Sequence, residues 1–202
     1  GLLENWPAFA ALLPAFLLRT AVFLFTESRL YDSGELVRLR GGPRSPANQW
    51  FHGARFLHCA RTPTDTAGPH PATHDGARPR AHGGVTFMTF NPAVKLTRVR
   101  YHQLGALGAR ITVTGYRPIT VLGIYNPPAG SPLNDRNVGR HATETLLSEL
   151  RTWYRKLSET EDVILAGDFN MRFGARNLRL TEGAYPDGNA RSTLFRSFVD
   201  DL

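Results

Sequence analysis

Val163-Ile164-Leu165-Ala166-Gly167-Asp168-Phe169-Asn170 decides how this chain is read. Four apolar residues in succession, with no alternation, fit a strand covered on both faces. Gly167 lets the backbone turn out of that strand. Asp168 then stands as a carboxylate at a strand end, and Asn170 offers an amide donor and a carbonyl acceptor two residues on. Polar groups at the end of a buried strand are where α/β proteins commonly place chemistry.

Immediately upstream, Leu146, Leu147, Leu150, Trp153, Tyr154 and Leu157 recur at helical spacing. Glu144, Glu149, Arg151 and Arg155 occupy the opposite face, so an amphipathic helix is expected. Before it, Arg110–Thr114 and Ile119–Tyr125 flank the turn Gly115-Tyr116-Arg117-Pro118 and predict an antiparallel hairpin. Asn126-Pro127-Pro128 closes the second strand, because proline cannot donate to a ladder. Gly84–Phe90 alternates apolar and polar as a strand does. Ala21–Phe25 is a short buried strand running into Thr26-Glu27-Ser28-Arg29, and Trp6–Leu18 reads as an apolar helix interrupted at Pro14. Residues 61–82, rich in Pro, Thr, Gly, Ala and His, have no period and read as a disordered surface loop. There is no internal repeat. Helix, strand, antiparallel strands, helix, strand is the order expected of an α/β (α+β) sandwich with helices covering sheets.

The chain has 202 residues, 42% of them hydrophobic, enough for one sizeable core. One domain over 1–202 is therefore expected. Its formal net charge is +7, and all cations but Lys95 and Lys156 are arginines. Arginine's planar fork suits phosphate, so a polyanionic partner and a solvated arginine surface are both consistent with the charge. Cys59 is the sole cysteine, which leaves no intramolecular disulfide or cysteine-rich zinc site, and no cysteine-nucleophile motif surrounds it. The apolar stretch Pro7–Phe25 is broken by Pro14 and Arg19, too short on either side for a membrane span, and carries no signal-peptide pattern. An intracellular setting, nuclear or cytoplasmic, is expected.

Three constellations could carry chemistry. Asp168 and Asn170 supply a group for orienting or deprotonating water and a donor for anionic oxygens, as phosphodiester cleavage needs; the same residues also describe a capped turn. Glu27 could hold Mg²⁺, a hard cation that takes oxygen ligands and keeps waters, or serve as a solvated loop residue. Tyr125 could donate to a phosphate oxygen or pack at a sheet rim.

Taken in order, Thr26-Glu27, Gly83-Gly84-Val85, Ile124-Tyr125-Asn126-Pro127-Pro128 and Gly167-Asp168-Phe169-Asn170 resemble the endonuclease/exonuclease/phosphatase superfamily, most closely the endonuclease domains of non-LTR retrotransposons. The likeness spans almost the whole chain. It implies a DNase-I-like four-layer sandwich of two mixed β-sheets covered by helices. It implies a metal-dependent DNA-nicking endonuclease of a retroelement, with DNA as partner and Mg²⁺ (Mn²⁺ as alternative) as cofactor. In the positions it matches, Glu27 would be the metal ligand, Tyr125 would contact the scissile phosphate, Asp168 would orient or deprotonate the attacking water, and Asn170 would hold the phosphate.

Three departures accompany it. The family's asparagine in a first strand, before a Gly-Leu pair, has no counterpart ahead of Gly1-Leu2. The late Asp-His motif, whose histidine is a central catalytic group, has none before Leu202, and His52, His58, His102 and His141 do not stand in for it by order. Pro128 occupies a position where some relatives have asparagine. A domain truncated at both ends, weak or inactive alone, is the expectation that follows. A phosphoesterase of the same fold acting on a lipid or inositol phosphate, and a non-catalytic nucleic-acid-binding remnant, are the competing readings.

Overall fold

The computed structural model describes residues 20–28, 55–59, 83–102, 105–126, 139–170 and 190–202, together with Asn5, Ala8, Phe9, Ala11 and Leu12, which are helical. The expected loop at 61–82, with His70, His74 and His82, lies outside the described residues, as does most of the helix expected at 6–18.

Among the described residues, seven strands form two sheets. β1 (Phe23–Thr26), β3 (Val85–Thr89) and β2 (Arg55–Cys59) make a three-stranded sheet in that order, both pairings antiparallel. β4 (Val94–His102), β5 (Ala106–Val113), β6 (Ile119–Tyr125) and β7 (Asp162–Asp168) make a four-stranded sheet. Its first two pairings are antiparallel and β6–β7 is parallel. The parallel pair requires a crossover, and α1 (Gly139–Ser158) supplies it. A second helix, α2 (Ala190–Asp200), follows β7.

The two-residue period of each strand sorts side chains into layers. Between the sheets lie Cys59, Val85, Phe87, Leu107, Ala109 and Tyr125, with Leu24, Leu57, Leu96 and Val121 packed against them. On the far side of the four-stranded sheet, Ala106, Leu122 and Ile124 meet Leu146, Leu147, Leu150, Trp153 and Leu157 of α1 and Phe195 and Phe198 of α2. The helical stripe of the sequence is thus spent on the sheet. On the outer side of the smaller sheet, the Phe9 ring packs edge-on against Phe23 and Phe25. Helix, sheet, sheet, helix is the resulting layer order. β3, central in its sheet, is buried at all five positions.

Two glycines set close approaches. At Gly123 the sheets come so near that a β-carbon would lie 2.8 Å from the Phe87 ring and 2.9 Å from the Leu24 side chain. At Gly167, φ is +140° and a β-carbon would overlap the Ile124 carbonyl oxygen. Ile124 and Gly167 are paired in the parallel ladder, one step before Tyr125 and Asp168.

Candidate active site

Strand direction brings the singled-out residues to one end of the sandwich. Arg55, at the start of β2, donates to the Val94 carbonyl at the start of β4 (3.4 Å), and Cys59, at the end of β2, donates to the His102 carbonyl at the end of β4 (3.6 Å). β2 and β4 therefore run the same way. β1 shares the direction of β2, since both are antiparallel to β3. β6 and β7 share the direction of β4, since β5 opposes both β4 and β6. Glu27, Cys59, His102, Tyr125 and Asp168 thus all emerge at the same pole. β1 also stacks on β6, with Leu24 over Gly123.

Tyr125 and Asp168 are direct neighbours across the parallel pair. The Tyr125 ring belongs to the inter-sheet core and is only 4% exposed, and its backbone N–H donates to the Gly105 carbonyl at 2.8 Å. The packing role foreseen for this ring is realised, and it carries the ring to the strand end beside Asp168. Asp168 and Asn170 are exposed. The Asn170 backbone N–H donates to Asp168 Oδ1 at 2.9 Å, closing an Asx turn. Asn170 sits at φ 46°, a left-handed conformation that asparagine tolerates better than most residues. The capped turn and the candidate pair are therefore the same structure. Glu27, half-buried, follows β1 at φ 50°, and the adjacent Ser28 N–H donates to the Gly84 carbonyl at 3.3 Å.

A residue to which the sequence assigned no role in the chemistry binds this turn together. Asn126, 2% exposed, donates its backbone N–H to the Asp168 carbonyl (2.8 Å) and its Nδ2 to the Phe169 carbonyl (2.9 Å). Its own carbonyl accepts from Asn170 Nδ2 at 2.8 Å. The hydroxyl of Thr143 in α1 donates to its Oδ1 at 3.4 Å. The signal was present in the sequence: an asparagine held extended by the following proline, one step past a strand end.

Cys59 and His102, at the same pole, have structural roles. Burial pushes the Cys59 thiol up to about 12, so it is a small buried hydrophobe and not a nucleophile. His102 faces the α1 side, its ring 6.3 Å from that of Trp153, and burial lowers its pKa against the opposing pull of Glu149. Three strand spacings of about 4.8 Å separate β4 from β7, roughly 14 Å, so His102 is out of reach of Asp168. At the opposite pole Glu161 accepts from Arg110 twice (2.8 and 2.6 Å) and from Thr120 (2.7 Å). Arg110 holds the Glu161 carboxyl below its usual range, against the effect of burial.

The donors at the site pole are carboxylate and amide oxygens, the set that suits a hard cation. Among the described residues no group of three or more His, Cys, Asp or Glu side chains gathers as a metal cage. Mg²⁺ fits such a setting, since it is commonly held by one or two carboxylates and keeps its waters. No helix among the described residues is long and apolar enough to cross a membrane.

Comparison with known proteins adds the following. The family model described as "Endonuclease/Exonuclease/phosphatase family" matches residues 2–200. Among curated protein sequences, none matches. Among solved structures, the chain is similar to a 3′ phosphatase from Neisseria bound to product DNA hairpin, with TM-score 0.54 and 13% identity over 100% of this chain and 67% of the other. It is similar also to a 3′–5′ exonuclease from Neisseria meningitidis, with TM-score 0.54, 14% identity, and coverage of 100% and 68%. An AP endonuclease from Leishmania major gives TM-score 0.54, 16% identity, and coverage of 99% and 62%. The chain thus spans about two thirds of the length of these structures, and less than that of the third.

Proposed function

The chain belongs to the endonuclease/exonuclease/phosphatase family and has its DNase-I-like sandwich fold, and from that premise we propose that it is a Mg²⁺-dependent phosphodiesterase that nicks DNA, of the kind non-LTR retroelements encode. The observation that carries the reading is the pairing of Tyr125 with Asp168 across β6 and β7, with the Asn170 turn beside them and Glu27 delivered to the same pole by β1. Such a pole offers a carboxylate for water, an amide for anionic oxygens and a second carboxylate for a cation. Similar folds that bind DNA or are named as nucleases support DNA as the substrate. The net charge of +7, almost wholly arginine, agrees with a polyanion.

In this reading Glu27 would hold the Mg²⁺, which when bound would supply positive charge to the phosphate and the leaving oxygen. Asp168 orients or deprotonates the attacking water; its Oδ1 is anchored by the Asn170 N–H, which fixes the plane of the carboxylate. Asn170 presents its amide to a phosphate oxygen. Tyr125, its ring locked in the core, offers its hydroxyl to the scissile phosphate with little rotational entropy left to lose.

Nicking of supercoiled plasmid tests the proposal, with Mg²⁺ or EDTA, beside Asp168→Ala. Mg²⁺-dependent nicking by the wild type, reduced at least about 100-fold in the variant, is expected. Nicking that survives in Asp168→Ala assigns the activity elsewhere. DNA binding without nicking would favour a non-catalytic binder, and hydrolysis of an inositol or lipid phosphate in preference to DNA would replace the substrate. Rising salt should weaken action on DNA, because docking on a polyanion releases counterions.

A further inference from the structure

We infer that Asn126 is a positioning residue of this site: it clamps the Asp168–Phe169–Asn170 turn between β6 and α1, so that the Asn170 amide and the Asp168 carboxylate hold one orientation. The inference rests on the assignment of Asp168 and Asn170 as the reacting pair.

The hydrogen bonds run in both directions across the same turn. Two successive carbonyls of the turn, those of Asp168 and Phe169, accept from the backbone N–H and the side-chain Nδ2 of Asn126. The side chain of the third residue, Asn170, donates back to the Asn126 carbonyl. Carbonyl oxygens only accept, so both amides are oriented without ambiguity. Nδ2 of Asn126 must face Phe169, which leaves its Oδ1 towards the Thr143 hydroxyl of α1. Nδ2 of Asn170 must face Asn126, which leaves its Oδ1 and its second N–H on the exposed side of the turn. An exposed asparagine side chain ordinarily turns freely; here one bond to a buried backbone carbonyl fixes it.

The clamp also acts on a strained segment. Asn170 is at φ 46° and Gly167 at φ +140°, so Asp168 stands between two residues in uncommon backbone regions. Such conformations persist where surrounding bonds over-determine them. Of the bonds across this turn, only the Nδ2 to Phe169 bond depends on the identity of a β6-side side chain. Aspartate at 126 has the same shape but sets an acceptor against the Phe169 carbonyl, while its other oxygen still accepts from Thr143. Asn126→Asp therefore removes the side-chain bond of the clamp, and sets repulsion in its place, with little change in packing.

The test uses the whole chain with Asn126→Asp and Asn126→Ala, read three ways. Steady-state kinetics on a DNA phosphodiester with Mg²⁺ should show kcat falling about 10- to 100-fold with KM within about twofold, as misplacement of reacting groups does. Thermal unfolding should be compared with Glu161→Gln, which breaks a buried cluster at the opposite pole; that variant should lose melting temperature and keep kcat, separating positioning from stability. The side-chain amide protons of Asn170, followed by NMR, should be protected in the wild type and should shift and exchange faster in Asn126→Asp. If Asn126→Asp does not fold, Thr143→Val, which removes the anchoring hydroxyl at constant shape, should move the same resonances. A folded Asn126→Asp variant with kcat within twofold of wild type, or with the Asn170 amide unchanged, overturns the inference. A wild type that hydrolyses no phosphoester refutes the catalytic reading, and the Asn170 resonance then decides the clamp by itself.

Discussion

Replacing Gly167 by alanine should be far more damaging than the same change at Gly115, although both glycines have positive φ. At Gly115, φ is +84° and a β-carbon would meet nothing within 4 Å, so the cost is the left-handed penalty alone, about 1–2 kcal/mol. At Gly167, φ is +140°, a region essentially reserved for glycine and worth about 1–3 kcal/mol. The β-carbon would in addition overlap the Ile124 carbonyl oxygen and come within 2.8 Å of the Ile124 nitrogen. Those atoms belong to the paired strand and cannot swing away as a side chain would. β6 and β7 must part there, and the Asn126 N–H to Asp168 carbonyl bond just beyond is lost with at least one ladder bond, about 1 kcal/mol each. The sum is about 4 kcal/mol. For a chain of this size that is a fall in melting temperature of about 8–16 °C, against about 2–8 °C for Gly115→Ala. Circular dichroism melts and urea titrations of both variants measure the difference. Equal destabilisation, within about 1 kcal/mol, would refute the claim that strand contact and not φ alone dictates Gly167.

Glu27→Gln keeps the side-chain length and removes the carboxylate charge, so it should cut Mg²⁺-dependent cleavage and raise the Mg²⁺ concentration that cleavage needs; cleavage with wild-type rate and Mg²⁺ dependence would contradict the metal-ligand reading. Glu161→Gln should cost about 1–3 kcal/mol at pH 7 by disrupting the bonds from Arg110 and Thr120. Because the folded carboxyl lies below its ordinary value of 4.5, its contribution is present above that pH and is lost as pH falls through the folded value. The gap between wild type and Glu161→Gln should therefore narrow below pH 4.5, and a gap unchanged at pH 3 would contradict the assignment. Cys59, held at about 12 by burial, should resist a thiol reagent at pH 8 until the chain unfolds; rapid reaction of the native protein would show the thiol accessible.

Elements with strong local patterns are legible in the sequence alone, though not always their burial: the apolar run 163–166, expected to be covered on both faces, is β7, at the end of the described sheet, with Ile164 48% exposed. The hairpin is realised as β5 and β6 around the Gly115 turn, and the apolar stripe at 146–157 is the buried face of α1. The helix itself extends back to Gly139, beyond the stripe. β2 and β4 are not legible in this way. Arg55–Cys59 is short and lacks alternation, and in β4 the register shift between Arg98 and Arg100 breaks the alternation that begins at Val94. Their partners are distant in sequence, so nothing local announces them. The candidate site residues can be named from the strand ends, but their convergence depends on strand direction, which only pairing reveals. Asn126 escapes for a related reason: its partners, Phe169, Asn170 and Thr143, lie in other elements.

The backbone itself distinguishes the two poles. Among the described residues with positive φ, Glu27, Gly83, Gly84, Gly105, Gly167 and Asn170 lie at the site pole, and Gly115 alone lies at the other, in an ordinary hairpin turn. Three of the six follow or adjoin strand ends that carry the candidate reacting groups. A strand left to itself would continue straight and point its last side chains alternately into the core and into α1. Turning the chain sharply at Glu27 and at Gly167–Asn170 takes polar residues past the ends of both sheets, as the proposed site requires. The far pole, which has only to reverse direction, needs no such turns and closes with the Arg110–Glu161–Thr120 cluster. Uncommon backbone gathered at the one end and satisfied charge at the other agree with the proposal that places chemistry at the first pole.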